Sequence, residues 1–344
     1  MLILNMLSSA NKVAAQGVGS AYLELIKMLK KNASDSFIIK INSWKKSDIT
    51  HYHTIDLVYY FSTFFRFYTG IKVGYVHFLP ETLDGSIKLP KFIFAIFKRY
   101  VISFYKRMDH LVVVNPDFIN KLEMCGLNRK KVTYIPNFVS KEKWYELPVD
   151  EKNSFKERLK IAPDKFIVLG AGQIQKRKGI DDFVSLAKKN LDVQFIWAGG
   201  FSFGKITDGF DRYQEMVNHP PKNLLFTGII SREEMMKYYN LADLFLLPSF
   251  NELFPMSILE AASTKTPVML RNLSLYHHIL KGKYLCVHDL KDMNKKLREI
   301  LNKKEILIEY QKKAEDISMQ YSEEALCKIW QNFYKSLFEL RRKL

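Results

Sequence analysis

The sequence has 344 residues, of which 47% are hydrophobic and 26% charged, with 15 glycines and 11 prolines. This length is typical of two domains or one large one, and the composition excludes collagen-like, disordered and coiled-coil chains. The formal net charge of +17 predicts attraction to a polyanion, such as a nucleic acid, an anionic membrane face or a phosphorylated substrate. Charge alone does not choose among these partners.

The three cysteines, Cys125, Cys286 and Cys327, are far apart in the sequence and form no C-x-x-C pair. This spacing excludes a disulfide scaffold and a thiolate zinc site. The first residues lack the basic segment and the cleavage site of a signal peptide. No apolar run approaches the roughly 18–20 residues that span a bilayer. We therefore expect a cytoplasmic protein.

The first half of the chain alternates short β-type runs with helical stretches, as βα units on a parallel sheet do. The predicted strands are Leu2–Leu7, Phe37–Ile41, Val73–His77 and His110–Val114, with helices near 20–31, 57–69, 90–108 and 116–125. Residues 137–164 contain prolines and many charges but no β-type run. This stretch therefore predicts a linker between two sheets.

The second half repeats the alternation. The predicted strands are Phe166–Gly170, Val193–Ala198, Leu224–Thr227, Leu244–Leu247 and Val268–Leu270, with helices at 180–190, 231–241 and 256–264 and a helical tail from 290. We expect a first domain at 1–149 and a second at 150–319, with a C-terminal helix at about 320–344 that packs back on the first. Ligands of such sheets bind beyond the carboxyl ends of the strands, which directs the search to the loops there.

Two glutamates stand eight positions apart after the predicted strand Leu244–Leu247. Glu252 lies in the loop that follows this strand, and Glu260 lies in the next helix, whose start is marked by Pro255. Free N–H groups at a helix start favour a phosphate, here near Phe254 and Met256. The spacing is equally compatible with a capped surface helix that carries two solvated glutamates.

Three further loops hold candidate ligand-binding residues. Gly172 follows a buried strand and precedes the cations Arg177 and Lys178, which are suited to a diphosphate although the P-loop pattern is not met. Two glycines, Gly17 and Gly19, are predicted in a loop between the first strand and the first helix, without the third glycine of the dinucleotide fingerprint. A single histidine, His77, ends a predicted strand beside the candidate site.

Several of these segments, in this order, resemble motifs of the retaining glycosyltransferase family four. Glu252 and Glu260 resemble its E-x7-E pair, and 172–179 resembles its G-R-L-x-x-x-K-G stretch. Residues 132–138, 225–228 and 242–249 resemble its V-x-x-I-P-N-G, F-x-G and A-D-x-x-x-x-P-S motifs. The resemblance implies a GT-B fold: two Rossmann-like parallel-sheet domains that face a central cleft, with a C-terminal helical tail.

The resemblance also implies a role for each matching residue. Glu260 would hold the ribose of a nucleoside diphosphate sugar, and Glu252 would contact the transferred sugar. Lys178, together with the helix-start amides near 254–257, would bind the diphosphate. Gly17 and Gly19 would form the glycine loop beneath the donor, and His77 would hydrogen-bond the donor sugar. The implied donor is a UDP-hexose, UDP-glucose or UDP-galactose.

Two positions depart from the family pattern. Gln173 stands where the family usually has an arginine for the diphosphate, so Arg177 is expected to supply that charge. Lys265 replaces a usual glycine. The sequence has no convincing D-x-D pair, so we expect no metal ion and no cofactor, with cations and oriented N–H groups stabilising the leaving diphosphate.

A basic and aromatic segment at 88–107 suggests what accepts the sugar. Its six cations are accompanied by no acid, and on a helix the cations share one half with large apolar residues, as in a helix that lies on a membrane. Each cation near an anionic leaflet contributes roughly 1 kcal/mol. The alternative is a core helix with a solvated basic face. The aromatic run at 57–68 fits either an apolar groove or the core.

These features favour a lipid-linked acceptor and a place on the inner face of the cell membrane. The sequence is similar to Gram-positive glycolipid synthases that add a second hexose to glucosyl-diacylglycerol. One alternative is transfer to a soluble, capsule or cell-wall saccharide. Others are an inactive membrane-docked scaffold and a nucleic-acid-binding protein. The cations are spread over both halves without a recognisable RNA or DNA module, so we expect no nucleic-acid partner.

Overall fold

A computed structural model of the chain describes residues 1–10, 17–80, 90–202, 204 and 207–342. They divide into two compact units. The described residues of 1–84, 88–138 and 321–344 form unit 1, and those of 139–320 form unit 2.

Twelve strands and fourteen α-helices lie in the described residues. The strands are β1 (Leu2–Leu7), β2 (Phe37–Ile41), β3 (Ile49–Tyr52), β4 (Ile71–Val76), β5 (His110–Val113), β6 (Val132–Tyr134), β7 (Ile167–Ala171), β8 (Gln194–Ala198), β9 (Leu224–Gly228), β10 (Leu244–Leu247), β11 (Val268–Arg271) and β12 (Leu285–Val287). The helices are α1 (Gly17–Asn32), α2 (Leu57–Ser62), α3 (Arg66–Thr69), α4 (Lys91–Lys106), α5 (Asp117–Met124), α6 (Val149–Arg158), α7 (Ile180–Lys189), α8 (Phe210–Asn218), α9 (Arg232–Leu241), α10 (Met256–Ser263), α11 (Ser274–Leu280), α12 (Leu290–Asn302), α13 (Glu305–Gln320) and α14 (Glu323–Arg342).

Each unit is built on a parallel sheet of six strands. The order is β2-β1-β3-β4-β5-β6 in unit 1 and β12-β11-β10-β7-β8-β9 in unit 2. In unit 2 the chain runs from β7 outward to β9 and then returns to place β10 on the other side of β7. The loops after β7 and β10 therefore leave neighbouring strands at the point where the strand order reverses, which is the usual binding site of such sheets.

The boundary of unit 2 lies at Val139 rather than at the predicted residue 150. The segment before α6 belongs to unit 2 because Trp144 packs edge-on against Tyr239, with ring centroids 5.6 Å apart. The Leu147 N–H also donates to the Asn240 side chain over 2.7 Å. These contacts attach the segment to α9.

The C-terminal helix α14 belongs to unit 1. Its Tyr334 hydroxyl lies 2.7 Å from His51 Nδ1 on β3. Its Phe333 ring packs edge-on against His110 of β5, with centroids 5.4 Å apart. The preceding helix α13 stays in unit 2, where Ser318 contacts Ser263 of α10 over 3.3 Å.

Some elements differ from the sequence prediction. The strand β3 was not predicted, because its sequence Ile-Thr-His-Tyr carries polar residues although all four are buried. The short strands β6 and β12 were also missed, and the single helix predicted at 57–69 is two short helices, α2 and α3. The α-helix α6 lies within the predicted linker.

Gly179 fixes the start of α7. Its φ is +72°, and a Cβ at this position would lie 2.2 Å from the Pro248 carbonyl oxygen. The loop after β7 can therefore pass beneath the loop after β10 only with glycine here.

We expect Gly179→Ala to lower the free energy of unfolding more than Gly282→Ala, as measured by urea denaturation. Gly282 has a similar φ of +77° but open space around its Cβ position. The Gly282→Ala variant therefore measures the backbone strain alone, roughly 1–2 kcal/mol. The clash at Gly179 adds roughly 1–3 kcal/mol. Equal losses in the two variants would contradict the close approach to Pro248.

Candidate active site

Lys178 and Glu252 form a buried ion pair in unit 2. The Lys178 ammonium lies 2.6 Å from Glu252 Oε1, and the two side chains are 13% and 4% exposed. Lys178 belongs to the short turn after β7, and Glu252 to the loop after β10. Because β7 and β10 are neighbours in the sheet, residues 74 positions apart in the sequence meet at one edge.

Gly172 leaves room for the lysine chain. Its φ is +139°, and an added Cβ would lie 3.3 Å from Lys178 Cε. Its carbonyl accepts a hydrogen bond from the Trp197 indole over 3.1 Å, which ties the loop to β8. Gly172 therefore acts on the site by its lack of a side chain.

The electrostatics keep the Glu252 carboxyl ionised. Burial acts to raise its pKa, but the positive charges of Lys178 and Arg177 outweigh burial and hold the pKa below its usual value. Burial lowers the pKa of Lys178, while Glu252 acts in the opposite direction. The result is a buried carboxylate that accepts hydrogen bonds beside an ammonium group.

Arg177 lies on the other side of the same carboxylate. Its guanidinium donates to the Asn251 carbonyl over 2.9 Å and approaches Glu252 Oε2 to 3.7 Å. Gln173, at the family's arginine position, accepts a hydrogen bond from Gln175 over 2.8 Å. The structure therefore brings Arg177, Lys178 and Glu252 together. That Arg177 supplies the second cation of the diphosphate site stays a prediction.

Glu260 lies within α10 in a separate polar setting. Its Oε1 pairs with Arg232 over 3.2 Å, and its Oε2 accepts the Tyr239 hydroxyl proton over 3.0 Å. Burial, and next the Glu260 charge, raise the pKa of Tyr239, so the hydroxyl stays a donor. The sequence analysis missed Arg232 and Tyr239, because both lie on α9 and no sequence motif connects them with α10.

The start of α10 lies between the two glutamates. Pro255 is the N-cap, Phe254 before it is buried, and Met256 is the first helical residue. Pro255 therefore directly precedes the helix whose start it was predicted to mark. The N–H groups of Met256 and Ser257 precede the first hydrogen bond of this turn, from the Ile258 N–H to the Pro255 carbonyl over 3.2 Å, and they follow Glu252 by only a few residues.

The remaining predicted site residues lie in unit 1. Gly17 and Gly19 belong to the first turn of α1, so the predicted glycine loop is wrong at these two positions. The loop prediction otherwise falls on residues outside the described ranges, since 11–16 are not described. A Cβ on Gly19 would lie 3.1 Å from the Ala10 carbonyl oxygen, which explains a small residue there.

His77 is buried directly after β4 in a cluster of rings. Its ring centroid lies 4.2 Å from that of Tyr75 and 5.9 Å from that of His53. Burial lowers the pKa of His77 to about 3, so its imidazole is neutral at physiological pH. His51 and His53, whose ring centroids are 4.1 Å apart, extend the cluster toward α14.

The two other histidines of this cluster, His51 and His53, were not predicted as site residues. Burial lowers the pKa values of His51 and His53 well below the ordinary value. Among the described residues, neither ring nitrogen of His53 has a hydrogen-bond partner. The His-Tyr-His run at 51–53 is the signal that could have indicated them.

The described part of the chain contains no group of three His, Cys, Asp or Glu side chains arranged to hold a metal ion. That no metal is needed stays a prediction. Within the same ranges, every helix is too short or too polar to cross a bilayer.

We expect acid to destabilise the protein through the histidine cluster. The unfolded chain gains these protons as pH falls through about 6.5, whereas folded His77 stays neutral down to about 3. The free energy of unfolding therefore decreases as the pH is lowered across this window, by up to about 1.4 kcal/mol per pH unit for each histidine. Urea denaturation near pH 7 and near pH 5 measures the slope.

The variant His53→Phe should reduce the pH dependence of the unfolding free energy by the contribution of about one proton. The comparison variant His219→Phe removes an exposed histidine in place of a buried one, since the His219 side chain is 73% exposed. An unaltered slope in His53→Phe would contradict a neutral buried ring.

Comparisons with known proteins identify relatives of this chain. The family profile of glycosyl transferases group 1 matches residues 151–317. The alpha-galactosylglucosyldiacylglycerol synthase of Streptococcus pneumoniae is 54% identical over 342 residues, which cover 99% of this chain and 91% of that protein. The processive diacylglycerol alpha-glucosyltransferase of Acholeplasma laidlawii is 26% identical over 258 residues, 70% of this chain and 75% of that protein.

The fold has solved counterparts. The crystal structure of Anabaena Alr3699/HepE in complex with UDP and glucose superposes with a TM-score of 0.79 at 12% identity and covers 98% of this chain and 100% of that one. This likeness confirms the predicted GT-B fold. Together with the identity to the streptococcal synthase, it establishes that the chain belongs to the group 1 glycosyl transferases and is a glycosyltransferase.

Proposed function

We propose that this protein transfers a hexose from UDP-glucose or UDP-galactose to a membrane glycolipid. The proposed acceptor is glucosyl-diacylglycerol, and the product is a diglycosyl-diacylglycerol. The names of the streptococcal and Acholeplasma relatives, both of which contain diacylglycerol, support a diacylglycerol-linked acceptor. The observation that carries the proposal is the buried pair of Lys178 and Glu252 at the switch point of the second sheet.

The cations of this site suit a departing nucleoside diphosphate. Negative charge grows on the diphosphate as the sugar leaves, and groups already aimed at it stabilise the transition state more than the ground state. Lys178 and Arg177 supply fixed positive charge, and the first N–H groups of α10 supply hydrogen bonds. In our proposal these groups take the part that a metal ion has in metal-dependent transferases.

The carboxylates of Glu252 and Glu260 bind the uncharged parts of the donor. Glu252 is held ionised by Lys178 and Arg177 and can accept hydrogen bonds from the hydroxyls of the transferred sugar. The negative charge of Glu252 also stabilises the positive charge that develops on that sugar in the transition state. Glu260 is fixed by Arg232 and Tyr239 and accepts hydrogen bonds from the ribose hydroxyls. The HepE complex with UDP and glucose supports a UDP-sugar donor.

His77 is the proposed contact from unit 1 to the donor sugar. Because burial keeps the imidazole neutral, one ring nitrogen donates and the other accepts. A neutral ring can therefore hydrogen-bond a sugar hydroxyl without adding charge near the reacting carbon. Gly17, in the first turn of α1, is the proposed glycine beneath the donor, whereas Gly19 makes room for the Ala10 carbonyl.

We propose that transfer retains the anomeric configuration. The names of both glycolipid relatives specify alpha linkages, and UDP-glucose and UDP-galactose are themselves alpha-linked donors. Attack then comes from the face that the diphosphate leaves. The leaving phosphate oxygen takes the proton of the acceptor hydroxyl, so that the new glycosidic bond forms as the sugar–phosphate bond breaks.

We expect Lys178→Met to lower kcat by roughly 10²–10³-fold, because it removes a preorganised charge from the leaving group. The matched control is Lys176→Met, since Lys176 lies in the same turn but is exposed. The assay incubates each protein with labelled UDP-glucose or UDP-galactose over mixed lipid vesicles containing glucosyl-diacylglycerol. The product is identified by chromatography and by its anomeric configuration.

Each outcome of this assay decides part of the proposal. Equal rates in the two lysine variants would remove Lys178 from the mechanism. Product on a soluble saccharide but none on the lipid would favour the alternative acceptor. An inverted linkage would overturn retention, and an active wild type with an inactive Glu252→Ala variant would exclude a non-catalytic scaffold.

We further propose that α4 lies on the inner face of the cell membrane. Phe92 and Ile96 are 68% and 63% exposed on this helix, and the adjacent cations Lys98 and Arg99 are exposed as well. Residues 88 and 89 of the predicted segment lie outside the described ranges. Large apolar side chains among cations favour an anionic leaflet over water.

Reversing both charges in Lys98→Glu/Arg99→Glu should weaken vesicle binding by at least about 30-fold, since each lost cation contributes roughly 1 kcal/mol. The control is Lys188→Glu/Lys189→Glu, an adjacent exposed pair on α7 of unit 2. Cosedimentation with vesicles containing phosphatidylglycerol measures binding. A similar loss in both variants would indicate general charge attraction rather than a surface on α4.

A further inference from the structure

Unit 1 contains an apolar cavity apart from the site described above. Its volume is about 330 Å³, and it lies between the sheet and the helices α2 and α3. Leu7 of β1, Val58 and Phe61 of α2, and Phe65 at the start of α3 contribute to its wall. This volume lies within the range of ligand pockets, which is roughly 300–1,000 Å³.

Three polar residues of the wall, Asn5, Ser43 and Thr50, already have partners within the protein. The Asn5 amide donates to the Ser43 carbonyl over 2.7 Å, and its oxygen accepts the Ser43 N–H over 3.1 Å. The hydroxyl of Thr50 donates to the Thr69 carbonyl over 2.7 Å. A polar ligand would find these groups already engaged, so the wall suits a hydrocarbon occupant.

The mouth of the cavity exposes aromatic rings. Trp44, Phe61 and Phe65 line the cavity, and they are 63%, 61% and 62% exposed. A cluster of exposed aromatic rings marks an interaction surface rather than an ordinary protein surface. Tryptophan in particular favours the boundary between a bilayer and water.

One cation lines the cavity, and two others contact rings that lie close in sequence to the lining Phe65. Lys45 lines the cavity itself, and the Lys46 ammonium lies 4.6 Å from the centroid of the Phe67 ring. The Arg107 guanidinium lies 3.5 Å from the centroid of the Phe64 ring. This charge complements an anionic head group and offers no such advantage to a neutral glycolipid.

The aromatic helix α2 adjoins the basic helix α4. The Tyr60 hydroxyl lies 2.9 Å from the Ser103 hydroxyl, and the Tyr100 hydroxyl donates to the Ile55 carbonyl just before α2. The helix α2 therefore contributes to the cavity wall and also contacts the helix proposed to lie on the membrane. A protein that rests on α4 presents its cavity to the lipids beside it.

We propose that this cavity holds one acyl chain of an anionic membrane lipid, with the head group beside Lys45. The inference rests on the proposed membrane surface of α4, but it adds a defined lipid site to that surface. The chain leaves the bilayer and replaces water against Leu7, Val58 and Phe61. Such a site anchors unit 1 by one lipid in addition to the general attraction of the cations.

Trp44 provides a natural reporter for the test. The chain has four tryptophans, and Trp144, Trp197 and Trp330 are at most 2% exposed, whereas Trp44 lines the cavity. The probe is a medium-chain fatty acid with bromine on its terminal carbon, used as monomers without vesicles. We expect saturable quenching of Trp44 fluorescence, with no quenching by the unbrominated acid and competition between the two acids.

A variant that fills the mouth tests the location. Val58→Phe should weaken binding of the brominated acid at least tenfold, because a larger ring occupies the space of the chain. The matched control is Val149→Phe, since Val149 is also an exposed valine in the first turn of a helix, α6 of unit 2. Equal affinities in the two variants would overturn the site.

A second pair of measurements tests the head group and does not depend on the folding of Val58→Phe. The brominated acid should bind at least tenfold more tightly than the brominated alcohol of equal length, and Lys45→Gln should remove this difference. Equal binding of acid and alcohol by the wild type would overturn the anionic head group. Quenching that rises without saturation would mean surface partition and would overturn the cavity.

The result can be separated from the proposed function. The variant Lys98→Glu/Arg99→Glu should lose vesicle binding yet retain quenching by the monomeric acid, because neither residue lines the cavity. A wild type that binds vesicles and transfers sugar, but shows no quenching by the acid, would overturn the lipid site alone. Absence of transfer with intact quenching would overturn the proposed function alone.

Discussion

The buried ion pair of Lys178 and Glu252 is the constraint around which unit 2 is organised. Removing two charges from water is unfavourable, and a buried pair often stabilises a fold no more than apolar residues of the same size. The fold nevertheless supplies special backbone for it, with a left-handed Gly179 beneath Pro248 and a Gly172 that leaves room for the lysine chain. We infer that the pair is maintained for its chemistry rather than for stability.

The pair also organises the residues next to it. The Phe250 N–H donates to the Arg177 carbonyl over 2.8 Å, while the Arg177 guanidinium donates back to the Asn251 carbonyl. These two hydrogen bonds tie the loop after β7 to the loop after β10 in both directions. The second cation is thereby held near Glu252 without occupying the position of Lys178. A site preorganised in this way needs little rearrangement when charge develops on a bound group.

The sequence predicts most of this architecture but not its contacts. The apolar runs and the order of the motifs predict the strands β7 and β10 and the loops that follow them. They do not predict that Lys178 contacts Glu252, because that contact depends on the return of the chain to place β10 beside β7. The strand β3 was not predicted, because a histidine such as His51 is usually a surface residue and the sequence alone does not indicate that this one is buried.

Lys265 illustrates how a departure from a family pattern is accommodated. The backbone here has a φ of +60°, which favours glycine, the residue usual at this position in the family that the sequence resembles. The Lys265 ammonium lies 3.3 Å from Glu146 and 3.7 Å from Glu315. These exposed pairs contribute little individually. They nonetheless give the side chain partners at a position whose backbone a lysine adopts only with strain.

The two units differ in the ionisable side chains that they bury. Unit 2 pairs its buried carboxylates with cations, as Glu252 with Lys178 and Glu260 with the exposed Arg232, and in our proposal its cations act on a phosphorylated donor. Unit 1 buries histidines whose pKa values are lowered, and these rings are therefore neutral when the protein is at physiological pH. A neutral ring such as His77 can recognise a hydroxyl without competing with the cations for the diphosphate. In our proposal the cations of unit 2 therefore act on the diphosphate, while the sugar is bound by the neutral His77 of unit 1 and by Glu252, whose charge Lys178 already balances.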